Sequence, residues 1–156
     1  MKRLAVVLAA AIVAIGVAVP VALSDPAGKA TGGVDFTFEG PSGPVNAHAS
    51  FTAQGTPVDA KGQIQYQDDL GAFHGNVDCF SLDGPNSASF SGPIDHSSGQ
   101  YAQDSYFVVD VTDNGTPGTA GPDQIGVGTS SLPQDCGRRH HHRHGGEVTN
   151  GNLDVH

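Results

Sequence analysis

Beyond residue 33, apolar and polar residues alternate along the chain with a period of two. Between 34 and 39, the apolar positions are Val34, Phe36 and Phe38. Between 45 and 54, they are Val45, Ala47, Ala49, Phe51 and Ala53. This period is typical of half-buried β-strands. The turn-forming cluster GPSGP at 40–44 separates the two segments, so they are predicted to form a strand pair.

Further strand-like segments follow, each bounded by Gly, Pro, Asn or Asp. They are 62–67, 73–82, 87–92, 106–111, 123–130 and 152–156. Dipeptides typical of tight hairpin turns occur at Asp83-Gly84, Asn114-Gly115 and Asn150-Gly151, which favours antiparallel neighbours. The segment YFVVDV at 106–111 is the most continuously apolar and is predicted to lie at the centre of a sheet. The pattern predicts an all-β domain, an antiparallel sandwich or barrel of roughly 8–9 short strands.

A secretory signal is predicted for the first 24 residues. Lys2 and Arg3 precede an uncharged apolar run at 4–19, the order of regions in a signal helix. Ala22 and Ser24 are the small residues that a cut before residue 25 requires. An uncleaved anchor is the alternative, because the run is longer than the usual h-region of about 7–15 residues and approaches the roughly 18 of a spanning helix.

The remaining residues, 25–156, are enough for one domain with a real core, and a single extracellular domain is the expectation. The chain has seven Lys or Arg residues against sixteen Asp or Glu residues. Loss of Lys2 and Arg3 with the signal would leave five basic residues against those sixteen. This acidic balance argues against nucleic acid or an anionic membrane as a partner of the domain. No apolar stretch follows the signal segment, so no membrane contact beyond that segment is expected. The expected location is secreted or associated with the cell envelope.

Two cysteines, Cys79 and Cys136, remain in the chain. In an oxidising compartment they are predicted to form one disulfide. In the chain-entropy model, closing a loop of this span stabilises the fold by about 4 kcal/mol. The alternatives are two free thiols or two thiolate metal ligands.

Five motifs occur in a fixed order over most of the chain. They are KGQIQYQD, FHGNVDCFSL, GPNSASFSGP, FVVDVTDNGTPG and the closing GNLDVH. Together they resemble post-COAP domains, small exported domains of largely actinobacterial origin. The resemblance implies a β-rich extracellular module, found alone or appended to larger surface proteins, with no assigned activity. The chain departs from that pattern by inserting LPQDCGRRHHHRHG, which also brings Cys136.

The inserted loop at 138–146 is rich in histidine and arginine. In an extended segment His140, His142 and His144 share one side, and neighbouring imidazoles of this kind can bind Zn, Cu or Ni. Asp135, Glu147 or His156 could complete such a site. The alternatives are an exposed loop that binds metal only as a purification tag does, and a cationic tract that docks on anionic cell-wall polymer.

A second candidate site lies in DVTDNGTPGTAGPDQ at 110–124. Asp110, Asp113 and Asp123, with Asn114, supply oxygens of the kind that Ca²⁺ takes from loops. The spacing does not match an EF-hand. The favoured alternative is a turn whose Asp and Asn side chains bond to the backbone.

Catalytic motifs such as GxSxG and HExxH are absent from the sequence. Three histidines, His48, His74 and His96, are scattered along the chain, and a lone histidine on a strand is more often a surface or hydrogen-bonded residue than a ligand. The expectation is therefore a non-enzymatic surface-binding or structural module, with cell-wall polymer or another surface protein as partner. An extracellular metal-binding protein that uses the histidine-rich loop is the alternative, and a small hydrolase ranks third.

Overall fold

The computed structural model describes residues 27–116, 119–137 and 144–156. The predicted signal segment at 1–24 and most of the histidine-rich loop lie outside these ranges. Among the described residues, no helix is long and apolar enough to cross a membrane.

The described part of the chain is all-β, as predicted. Its nine strands are β1 (Gly28–Gly40), β2 (Gly43–Thr56), β3 (Asp59–Asp68), β4 (Gly71–Asn76), β5 (Cys79–Leu82), β6 (Ser87–Gly99), β7 (Tyr106–Thr112), β8 (Gln124–Ser130) and β9 (His144–Val155). They form one sheet of order β4-β3-β2-β1-β9-β8-β7-β6-β5, and β4 also pairs with β6. Every pairing is antiparallel. A 3-10 helix, Gln100–Gln103, links β6 to β7.

The predicted strand at 73–82 is interrupted, which corrects the sequence-based assignment. β4 ends at Asn76 and β5 begins at Cys79. Between them the amide of Val77 donates to the carbonyl of Gly62 at 3.0 Å, and the amide of Asp78 donates to the carbonyl of Ser91 at 3.0 Å. The two amides thus bond to different neighbouring strands. The strand is interrupted here because the chain changes its hydrogen-bonding partner from β3 to β6.

The inner face of the sheet carries the core. The alternating apolar residues of β1 and β2 are all buried, as the period of two predicts. Aromatic rings fill the centre: Phe51 contacts Phe90 with centroids 5.2 Å apart, and Tyr66 stacks on Phe73 at 5.0 Å. β7 lies between β6 and β8. Its consecutive residues Phe107, Val108 and Val109 are buried on both faces, which confirms its predicted interior position.

The segment 131–137 covers the outer face of β6 and β7. Cys136 is fully buried and forms the predicted disulfide with Cys79 on β5. Val108 and Ser91, paired across β7 and β6, are buried although they alternate with core residues. The disulfide therefore holds a loop over a patch of sheet that would otherwise face water.

The first and last of the described strands are neighbours in the sheet. β1 pairs with β2 along thirteen residues and with β9 on its other side. At one end of the β1–β9 pair, the amide of Lys29 donates to the carbonyl of His156 at 2.6 Å. The amide of His156 donates back to the carbonyl of Lys29 at 2.9 Å. These two reciprocal hydrogen bonds extend the β1–β9 pairing to its end.

Candidate functional site

A groove of about 470 Å³ lies on the outer face of β2, β3, β4 and β6. We call it the outer groove. The polar side chains that line it are His48, Gln65, Gln67, His74, His96, Ser97 and Ser98. The strand register aligns them, because Gln67 pairs with both His48 and Ala72, while His74 pairs with both Gln65 and His96.

The period of two on β3 explains why the polar residues face outwards. Ile64 and Tyr66 are buried in the core, so Gln65 and Gln67 are exposed on the other face. Across β4, the short side chain of Ala72 lies between Gln67 and Ser98 in the register. A row of longer side chains interrupted by short ones leaves a depression in an otherwise flat sheet.

A β-bulge on β6 brings Asp95 into the groove region. His74 pairs with His96 and Gly75 pairs with Ile94, so Asp95 is the extra residue of the bulge. In a regular strand, Asp95 and His96 would face opposite sides of the sheet. The bulge instead lets the Nδ1–H of His74 donate to Oδ1 of Asp95 at 2.6 Å. This hydrogen bond, with the charge of His74, lowers the pKa of the Asp95 carboxyl.

A second histidine of the groove is also oriented by a carboxylate. The Nδ1–H of His48 on β2 donates to Oδ1 of Asp35 on β1 at 2.7 Å. The side-chain amide of Asn150 donates to the other oxygen of Asp35 at 3.1 Å. The bond from His48, and then that from Asn150, lower the pKa of Asp35. Two imidazoles of the groove therefore have their Nδ1 atoms engaged and their tautomers set.

A hydrogen-bond network lies at the end of the groove, in the β3–β4 turn. Oδ1 of Asp68 accepts the amides of Leu70 at 2.8 Å and Gly71 at 2.9 Å. Oδ2 accepts the hydroxyl of Tyr66 at 2.9 Å and the hydroxyl of Tyr101. Burial, followed by the bond to Asp68, raises the pKa of Tyr101 to about 12. Four donors on one carboxylate hold this turn rigid beneath the groove.

The predicted histidine-tract site lies largely outside the described residues. His140 and His142 lie outside the described residues. His144 is the first residue of β9, and only its backbone is described. His156, a suggested additional ligand, has its Nδ1 at 3.5 Å from Oδ1 of Asp154. A Zn, Cu or Ni site in the tract stays a prediction.

The suggested calcium ligands are engaged in hydrogen bonds, some to backbone amides of the same segment and others to residues distant in sequence. Asp113 accepts the amides of Gly115 at 2.7 Å and Val155 at 3.3 Å. Asp123 accepts the amide of Asn114 at 2.9 Å, and Asp110 accepts the hydroxyl of the buried Ser89. Among the described residues, no three His, Cys, Asp or Glu side chains form a group suited to a metal ion. Calcium binding by Asp110, Asp113 and Asp123 stays a prediction.

Sequence reasoning missed the outer groove because it treated His48, His74 and His96 as unrelated. A short turn at 69–70 implies the pairing of Gln65 with His74, and that signal was available. The position of His96 depends on the bulge at Asp95, and no pattern in the sequence predicts that bulge. Comparison with protein-family models, curated proteins and solved structures found no match for this chain.

Proposed function

We propose that this protein is an exported, non-enzymatic β-domain that binds an uncharged polysaccharide through the outer groove. The observation that carries the proposal is the convergence of imidazole, amide and hydroxyl side chains in one depression on a rigid sheet. Concave sites with a few oriented polar groups are the usual form of ligand sites.

The groups in the groove suit a hydroxyl-rich ligand. Gln65 and Gln67 each offer two donors and an acceptor, and Ser98 offers one donor and two lone pairs. Sugar hydroxyls also donate and accept, so each can pair with such side chains. The chain as a whole carries a formal charge of −9 at pH 7, which disfavours polyanionic ligands in general.

Export and the finer architecture belong to the same proposal. The disulfide between Cys79 and Cys136 is compatible with an oxidising, extracellular setting, and so is the predicted signal segment. β4 pairs with both β3 and β6, which supports a closed barrel rather than a two-sheet sandwich. The resemblance to post-COAP domains also favours an exported module of a bacterial surface.

The test is a pull-down of the purified protein by insoluble chitin, cellulose and β-1,3-glucan, three uncharged polysaccharides. The groove variant carries Gln65→Ala and Gln67→Ala. The matched control is Gln63→Ala, which changes the same residue type on the same strand and face but does not line the groove. All measurements are made in a metal chelator, so that bound metal plays no part.

We expect at least one of the three glycans to retain the protein and the control equally. The groove variant should be retained at least tenfold less. The proposal is wrong if none of the glycans retains the protein, or if the groove variant and the Gln63 control are retained alike.

A further inference from the structure

We infer that His74 and His96 together form a binding site for one transition-metal ion of the Cu²⁺ and Zn²⁺ class. The inference does not depend on polysaccharide binding, and it concerns residues separate from the histidine-rich loop. It rests on the cross-strand pairing of the two histidines and on the carboxylate that orients one of them.

The pairing puts His74 and His96 side by side in the strand register. His74 on β4 is directly opposite His96 on β6, and both line the outer groove. Directly opposite residues on one face have Cβ atoms about 4.5–5.5 Å apart. A zinc ion holds each imidazole nitrogen at about 2.0–2.1 Å, a span that two facing histidines can bridge.

Asp95 supplies the outer hydrogen bond that metal-binding histidines usually have. The Nδ1–H of His74 donates to Asp95 at 2.6 Å, so Nε2 of His74 is the nitrogen left to bind an ion. The side-chain amide of Asn76 donates to the second oxygen of Asp95 at 3.4 Å. The carboxylate is thus fixed from two sides, and its negative charge favours a cation nearby.

The inferred site has two protein ligands, His74 and His96, because Asp95 is engaged with Nδ1 of His74. Among the described residues, no group of three or more His, Cys, Asp or Glu side chains is suited to hold a metal ion. Water or a bound ligand would fill the remaining positions. Imidazole ligands suit Cu, Ni and Zn and do not suit Ca or Mg. The Irving–Williams order predicts tighter binding of Cu²⁺ than of Ni²⁺ or Zn²⁺.

The experiment is calorimetric titration of the purified protein with Cu²⁺ and with Zn²⁺, without any polysaccharide. The reference protein has its loop histidines changed to alanine, so that the tract cannot bind: His140, His141, His142 and His144. On this background His74→Ala and His96→Ala test the two ligands, and Asp95→Asn tests the orienting carboxylate. Electron paramagnetic resonance of the Cu²⁺ form counts the coordinated nitrogens.

His48→Ala is the matched control, because His48 is also bonded to a carboxylate on the same face but has Asp35 and Gln67 as its register neighbours. We expect one metal equivalent in the reference protein and in this control. That equivalent should be lost or weakened more than tenfold in each ligand variant, and Asp95→Asn should weaken it about tenfold.

Two results would overturn the inference. One is a reference protein that binds neither metal. The other is equal binding by the reference and by either ligand variant, which would assign the ion to another part of the chain. Circular dichroism checks that each variant is folded.

Discussion

The fully buried hydroxyl of Ser91 on β6 donates a hydrogen bond of 2.9 Å to the backbone carbonyl of Gln134. Two residues further on, Cys136 is bonded to Cys79, which is the register partner of Ser91 on β5. The covering segment is therefore fastened to the sheet at two neighbouring points, one polar and one covalent. Each can be removed separately.

Replacing Ser91 with alanine should destabilise the fold by about 1 kcal/mol, because the hydrogen bond from its buried hydroxyl to the partly buried Gln134 would be lost. Urea unfolding measures the change. Ser97→Ala, an exposed serine on the same strand, should stay within about 0.5 kcal/mol of the parent. Equal stability of the Ser91 and Ser97 variants would show that the buried bond contributes nothing.

Replacing Cys79 and Cys136 with serine should cost about 4 kcal/mol, the chain-entropy value for a loop of this span. Urea unfolding of the variant should match that of the parent protein in reductant. Thiol titration of the denatured, unreduced parent should detect no free thiol. Two reactive thiols per chain would contradict the disulfide.

The His48–Asp35 pair predicts an acid-dependent contribution to stability. The bond from His48 is the main cause that lowers the pKa of Asp35 from its ordinary value of 3.8. A lowered folded-state pKa stabilises the protein above the unfolded-state value, and this stabilisation is lost as the pH falls through the folded-state pKa. In His48→Ala, the pKa of Asp35 should rise towards 3.8.

The check is an NMR titration of the Asp35 carboxyl carbon in the parent and in two variants. Asn150→Ala serves as the comparison, since Asn150 is the weaker of the two hydrogen-bond causes. It should shift the midpoint of Asp35 less than His48→Ala does. An unchanged midpoint in His48→Ala would disprove the assigned cause.

Tyr101 should contribute stability that is lost as the pH rises, whereas the contribution of Asp35 is lost as the pH falls. Its pKa is raised to about 12 by burial and then by the bond to Asp68. Stability from the protonated phenol is complete below the unfolded-state pKa of about 10 and is lost as the pH rises through 12. Tyr101→Phe should remove a transition near pH 12 from the absorbance titration. Identical titration curves for parent and variant would contradict this.

Much of the strand structure is predictable from local pattern. The alternation of Ile64 and Tyr66 with Gln65 and Gln67 identifies both the strand and its buried face. A segment that is apolar at consecutive positions, as at 107–109, identifies an interior strand. These predictions succeed because one sheet face is buried, which specifies the period and the register of each strand.

The outer groove was not predictable in the same way. Its histidines come from β2, β4 and β6, and β4 meets β6 only through a long-range pairing. The bulge at Asp95 and the break at 77–78 both arise where a strand must satisfy partners that are distant in sequence. Such features depend on the three-dimensional hydrogen-bond pattern. They cannot be predicted from the alternation of apolar and polar residues.

The reciprocal bonds between Lys29 and His156 also have a mechanical consequence. A tension applied through these two residues would pull β1 and β9 apart from one end. Because the strands are antiparallel, the inter-strand bonds would break one after another, as in unzipping, and would not share the load as in shear. The domain would therefore yield at low force along this axis, while tension applied across the disulfide would meet a covalent bond.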